Sequence, residues 1–507
     1  MEKTYLLGID IGTSACKIAV FDREGKVAAK AASEYPVYYP RPGWAEQEPD
    51  DWWRGTCLAI REALYKGGIR PGQIAGVGID GQSWSAIMTD REGKVLHRTP
   101  IWMDTRSADI CERLNREIGE EKIFSLTGNS LQPSYTTGKI LWYRENVPEA
   151  YKNTCKILQS NSFIAFRLTG KFSQDLSQGY GLHCFDMKKG CWDTGMGEAL
   201  SIPSGFLPEL FPCDKVIGTV TEEAAGQCGL LAGTPVVAGG LDAACGTLGA
   251  GVIHPGETQE QGGQAGGMSI CMDTCKADPR LILGFHVVPG MWLLQGGTVG
   301  GGGCMRWFEQ EFADYERSLE KSTGESSLAQ LNQIAEKVPA GCEGLVFLPY
   351  MAGERSPIWD PKAKGVFYGL DFSKTKGHMV RAVMEGVAYS LRHNLEIAKQ
   401  AGADVKVLRA MGGSANSLLW TQIKSDVTGK PVQVPSSDTA TTLGAAILAG
   451  VGTGVYRDYE EAVRLTVKDT RSHTPEAEKK PVYDQAFRIY LSLYEALKEI
   501  MDKPQAL

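Results

Sequence analysis

Two stretches of strand-like sequence, each broken by a glycine turn and each opening one half of the chain, constrain this protein most. Near the start, Tyr5–Ile9 is apolar, Asp10–Ser14 is a glycine-bearing turn, and Lys17–Phe21 is apolar again. Asp22–Lys26 then reads as a hairpin turn with glycine late in the loop. A second strand-rich stretch begins near Glu257, with hairpin candidates at Met268–Met272 and Trp292–Gln295 and a glycine cluster at Gly296–Gly303. Helical spacing follows each stretch: Asp50–Tyr65 and Lys139–Glu145 after the first, Gly377–Ala398 and Ser417–Val427 after the second. In the tail, Tyr483, Phe487, Tyr490, Tyr494, Leu497 and Met501 share one helical face, a core-packing stripe. The expected layout is two α/β halves, residues 1–252 and 253–507, with a ligand cleft at their junction.

Composition narrows the partners. A length of 507 residues allows two to four domains, and 43% hydrophobic against 22% charged residues is ordinary for a globular protein. A formal net charge of −7 and the lack of any basic tract argue against nucleic acid or an anionic membrane as partner. The first residues enter a strand pattern at once and no apolar run suits a membrane span, so neither a secretory leader nor a membrane segment is expected. The 13 cysteines are scattered with no C-x-x-C pair, which reads as reduced thiols in a cytoplasmic protein. The 60 glycines gather in short clusters, as expected where backbone closely approaches a ligand.

Several motifs carry chemistry. No G-x-x-x-x-G-K-[ST] occurs, which argues against a P-loop, and the single G-x-G-x-x-G (Gly76, Gly78, Gly81) starts within the strand-like Ile74–Ile79 and not between a strand and a helix. Asp10 at a strand end can hold a hydrated Mg²⁺, Gly12 lets backbone N–H groups face phosphate oxygens, and Thr13, Ser14 and Lys17 add donors or charge. The same residues also suit a plain hairpin turn. Gly412, Gly413 and Asn416 lie in a turn between an apolar run and a helix, where a planar ring can rest on bare backbone or where a tight turn simply needs glycine. Asp242 is the only Asp, Glu, Lys or Arg between Glu223 and Glu257. A lone carboxylate there is either a helix cap or a functional group.

The whole chain resembles the FGGY carbohydrate kinases, and among them the xylulokinases. Ser134–Asn146 follows the family's first signature and Gly365–Glu385 its second. Asp10–Lys17 is similar to its first phosphate loop, Ile101–Arg106 to its W-x-D-x-R sugar segment, and Gly353–Pro361 and Gly412–Trp420 also correspond. The resemblance implies an actin-like α/β fold of two ribonuclease-H-like domains around a cleft for ATP and a sugar. It further implies Asp242 as catalytic base, Asp10 near the metal, Thr13 as a phosphate contact, Trp102 and Asp104 at the sugar, and Gly412, Gly413 and Asn416 at the adenosine.

Three departures mark this chain. The family's Gly-Gln-Met-His-Gly is Gly81-Gln82-Ser83-Trp84-Ser85 here, which replaces a Met-His pair with a bulky stacking face. The Gly-Thr-Ser-Gly phosphate segment is Gly263-Gln264-Ala265-Gly266, an amide and a methyl in place of two hydroxyls. Ser134 stands where glycerol kinases have Tyr. Gly300 and Gly301, inside Gly296–Gly303, are placed for close phosphate approach. The expected activity is ATP- and Mg²⁺-dependent phosphorylation of a pentulose such as xylulose, with Gln82, Ser83, Trp84, Trp102 and Asp104 at the sugar. The alternatives are another ketose, a polyol or a sugar acid (ribulose, fuculose, erythritol, gluconate), or a low-turnover sugar- or nucleotide-binding regulator. The oligomeric state is open, a homodimer being one expectation.

Overall fold

The computed structural model describes residues 4–436 and 439–503. It holds two seven-stranded sheets of the same design. In the first, Tyr5–Ile11 (β1), Ala15–Phe21 (β2) and Val27–Glu34 (β3) form an antiparallel meander. Ile74–Gly81 (β4) lies parallel to β1 on its other side. Val216–Thr219 (β5), Pro235–Val237 (β6) and the short Gly240–Leu241 (β7) complete it, giving the order β5-β6-β4-β1-β2-β3 with β7 beside β4. The second sheet repeats the plan. Glu257–Gly262 (β8), Gly266–Met272 (β9), Ile282–Phe285 (β10) and Trp292–Thr298 (β11) are antiparallel neighbours, followed by Val407–Met411 (β12), Val432–Pro435 (β13) and Asp469–His473 (β14). Its order is β10-β11-β9-β8-β12-β13-β14, with β8, β12 and β13 parallel.

The strands form where apolar residues run continuously. All seven residues of β1 are buried because helices cover both faces of the sheet. The helix Pro49–Gly67 seals the β2–β3 side with Trp52, Ile60 and Leu64, and ends on a left-handed Gly68 whose N–H caps the last turn. In the second half Lys376–Gln400 and Lys480–Met501 pack around Tyr389, Tyr483, Phe487 and Tyr490, so the aromatic part of the tail stripe is core.

One helix does not stay with its own half. Ala440–Gly452 packs on β1 and β4 of the first sheet. Gly8 and Gly78 lie opposite each other in register and form its seat. A Cβ on Gly8 would stand 2.0 Å from the Thr442 carbonyl oxygen, and one on Gly78 1.8 Å from that of Ala445. Only glycine permits so close a backbone approach. The neighbouring helix Asp242–Gly249 packs on the same crossing helix just as tightly, through Gly249 against Ala440 and Gly444 against Cys245. Among the described residues no helix is long and apolar enough to cross a membrane, and all 13 cysteines are free thiols.

Candidate active site

The register of the first sheet assembles the acidic wall. Asp10 on β1 pairs with Lys17 on β2 and with Asp80 on β4, and Asp80 pairs in turn with Gly240, two residues before Asp242. Lys17 Nζ reaches Asp10 Oδ2 at 3.2 Å. Asp80 is fully buried, and its oxygens meet no N–H or hydroxyl donor, their polar neighbour being the Asp10 carboxyl. Burial, with repulsion from Asp10 and Asp242, holds its carboxyl pKa well above the usual range. Burial also raises that of Asp10, against the pull of the Lys17 ammonium.

Asp242 is the first residue of its helix, preceded by Leu241 at the cap position. Its Oδ1 accepts from the adjacent Ala243 N–H at 2.6 Å, so it does not reach the later N–H groups that a capping side chain would bond. The carboxylate is partly open to the cleft yet ringed by protein atoms. Loss of water and repulsion from Asp10 push its pKa up to about 7, against the Ala243 hydrogen bond and Lys17. A carboxylate poised near neutrality in a cleft is suited to proton transfer.

The glycine turn after β1 is tied to the segments read as sugar-binding. Thr13 Oγ1 donates to Gln82 Oε1 at 3.3 Å and accepts from Trp102 Nε1 at 3.0 Å. Gln82 Nε2 donates to Gln47 Oε1 at 2.7 Å, and Gln47 Nε2 returns to the Thr13 carbonyl at 2.8 Å. Gly12 N–H closes the turn on Ala15 O, and Ser14 and Lys17 stand exposed at its rim. Trp84 and Trp102 line a cavity of about 450 Å³ with Ser134 and Tyr135, and the second half closes its far side with Leu281, Arg355 and Trp359.

Asp104 takes another place. Its side chain has no exposure, and its two oxygens accept from Ala45 N–H and from the Arg106 backbone and guanidinium at 2.7–3.0 Å. With Arg106 wedged over Trp44, it braces the Trp102 segment from behind and presents no oxygen to the cavity.

On the second half, Gly263, Gln264, Gly412, Gly413 and Asn416 gather at the ends of β8 and β12. Gly412, with φ of 84°, lies back to back with Gly262. Gly302 and Gly303 N–H groups donate to the carbonyls of Gly263 and Gln264 at 2.7 and 3.0 Å, which knits the two glycine segments together. Gly300 and Gly301 are buried, and a Cβ on either would strike Pro349 or Ala265. Their glycine is required by packing. Gly412, Gly413 and Asn416 are exposed. Behind them, buried Lys424 Nζ binds Ser414 Oγ and Glu260 Oε1, each at 2.7 Å.

Two like sheets, one ending in carboxylates and the other in exposed glycine turns, make a two-domain actin-like fold. The model of the FGGY carbohydrate kinase N-terminal domain matches residues 5–249, and that of the C-terminal domain residues 272–453. The xylulose kinase of Bacillus subtilis (strain 168) is 29% identical over 498 residues, covering 98% of each chain. A gluconokinase of Bacillus licheniformis is 29% identical over 497 residues, 98% of this chain and 96% of its own. The crystal structure of xylulose kinase from Rhodospirillum rubrum superposes with a TM-score of 0.89 at 30% identity, over 98% of this chain and 100% of its own. The chain belongs to the FGGY family of carbohydrate kinases. It is a sugar kinase of xylulokinase-like type, and the family's phosphoryl donor is ATP.

Sequence reasoning passed over Asp80. The signal was present: Gly8-Ile9-Asp10 and Gly78-Ile79-Asp80 are the same tripeptide on neighbouring parallel strands.

Proposed function

We propose that the protein phosphorylates a pentulose such as xylulose, with Asp242 as general base. The observation that carries the chemistry is the Asp242 carboxyl, set at a helix start in the cleft and held near neutrality by its surroundings. Asp242 takes the proton of the sugar hydroxyl as that oxygen attacks the γ-phosphorus. The bond from phosphorus to the bridging oxygen breaks, ADP leaves, and Asp242 releases the proton to solvent. Lys17 and the N–H groups around Gly263 and Gln264 bear on the phosphate charge, and the exposed turn Gly412, Gly413 and Asn416 receives the nucleoside.

Asp10 and Asp80, whose buried oxygens meet no N–H or hydroxyl donor, suit a hydrated Mg²⁺, an ion that keeps several waters and needs few protein ligands. When bound it would neutralise phosphate charge, and its field would favour the ionised form of both carboxyls. Among the described residues no cluster of three or more His, Cys, Asp or Glu forms a ready cage, which agrees with an ion held mainly through water and phosphate.

The preference for a pentulose rests on the relatives named xylulose kinase and on a cavity sized for a small sugar between Trp84 and Trp102. A sugar acid is the second reading. Gluconokinases are also 29% identical, and Arg355 is the one charged residue among those lining the cavity. Coupled ADP release over xylulose, ribulose, fuculose, erythritol, glycerol and gluconate decides. Turnover greatest with xylulose or ribulose supports the first reading, and turnover confined to gluconate supports the second. Nucleotide binding with no turnover on any sugar rejects both.

A further inference from the structure

Lys139 is a cation in an unusual place. Its side chain is fully buried, and among the described residues no carboxylate lies within ion-pair distance. An ammonium that feels a carboxylate, Asp104, only from beyond ion-pair distance is costly to bury, so the fold must supply other acceptors. It supplies two backbone carbonyls: Lys139 Nζ donates to Trp84 O at 2.8 Å and to Ser134 O at 2.6 Å. These belong to segments about fifty positions apart in sequence, and both residues line the cavity of about 450 Å³.

The Trp84 backbone needs such a tether. Its φ of 59° lies in the left-handed region, a strained conformation for a bulky side chain that persists only where the surroundings enforce it. That backbone delivers the indole onto Tyr135, stacked at 4.0 Å between ring centroids and 23° between planes, with Tyr180 edge-on at 6.1 Å. Gly181 clears space for it, since a Cβ there would lie 2.9 Å from Trp84 Cδ1. Trp84 also stands where this chain departs from the family's Met-His pair. Burial lowers the Lys139 pKa to about 7, and a neutral amine would still carry two N–H donors for two carbonyls.

We propose that Lys139 is the positioning residue of the sugar pocket: it cross-links the Trp84 and Ser134 carbonyls and thereby holds Trp84 in its left-handed conformation, stacked on Tyr135. This rests on the reading of the cavity as the sugar site. Lys139 touches no substrate and acts through Trp84.

The test is a double-mutant cycle with Lys139→Met and Trp84→Gly, read with the best sugar from the panel. Lys139→Met should raise KM for that sugar about tenfold while KM for ATP stays within about twofold, a split that general destabilisation would not produce. In the Trp84→Gly background the same change should add less than about twofold, because residues acting as one unit are not additive. Additive effects, or equal changes in both KM values, overturn the proposal. If Lys139→Met does not fold, Lys139→Leu, which likewise lacks any donor, enters the cycle under the same criteria. A crystal structure of the folded variant gives a readout independent of turnover. Trp84 should leave the left-handed region or unstack from Tyr135, and a Trp84 unmoved in that structure refutes the tether. If no sugar is turned over, the kinase reading fails by itself and the crystal structure alone judges Lys139.

Discussion

Replacing Asp242 with Asn tests the site most directly, because the same carboxylate should aid turnover and burden the fold. Removing a general base costs about 10²–10⁴ in rate, so Asp242→Asn should lose at least a hundredfold in kcat while nucleotide still binds. In the wild type, a base with pKa of about 7 sets the acid limb of kcat/KM: activity should fall about tenfold at pH 6 and about a hundredfold at pH 5. Two neighbours move that limb in opposite directions. Asp10→Asn removes a repelling charge and should shift it to lower pH, whereas Lys17→Met removes an attracting charge and should shift it to higher pH. The stability effect has a definite sign. The folded pKa lies above the ordinary 3.8, so the folded state binds more protons than the unfolded chain between about pH 4 and 7, and the wild type loses stability as pH rises through that window. Asp242→Asn lacks this penalty, so its Tm should exceed that of the wild type at pH 8, and the difference should vanish near pH 4. ADP release across the pH range and thermal denaturation of both proteins measure these effects. A flat wild-type profile down to pH 5, or a variant keeping more than about a tenth of its turnover, would refute Asp242 as base.

Two further outcomes follow from packing. Gly78→Ala places a Cβ 1.8 Å from the Ala445 carbonyl oxygen, a backbone atom that cannot rotate away, so it should cost roughly 1–3 kcal/mol or more in urea unfolding; an unchanged midpoint would mean the crossing helix is not seated there. Lys424→Met strands the buried Glu260 carboxylate and frees Ser414, so it should destabilise by about 3–5 kcal/mol and raise KM for ATP more than KM for sugar. Equal effects on both KM values would separate that pair from the nucleotide turn.

How much of this was legible in the sequence differs from residue to residue. Periodicity located the long elements: the helix expected at Gly377–Ala398 spans Lys376–Gln400, and the hairpin candidates at Met268–Met272 and Trp292–Gln295 became paired strands, Gly266–Met272 and Trp292–Thr298. Long apolar stripes report local burial, which is what forms such elements. The glycine clusters were harder to read, because glycine serves both ligand approach and packing. Gly412 and Gly413 are exposed in a turn, whereas Gly300 and Gly301 are buried against Pro349 and Ala265, and composition does not separate the two uses. Asp104 shows the same limit for charge: its bracing role depends on Ala45, almost sixty positions earlier, and on the way Arg106 folds back over it. Asp80 needed strand register, since only the alignment of β1 with β4 brings it beside Asp10. The crossing helix was invisible for a related reason: nothing in its own sequence says which sheet it covers.

That helix has a mechanical consequence. The chain passes between the halves after Gly249, before Ala440 and again after Thr466. These crossings are neighbours: a Cβ on Gly249 would touch the Ala440 backbone, and one on Gly251 would lie 3.1 Å from Val467 Cγ1. Three passages of chain are thus bound side by side where the halves join. Any change in the angle between the halves has to be taken up at these three passages, where backbone lies against backbone.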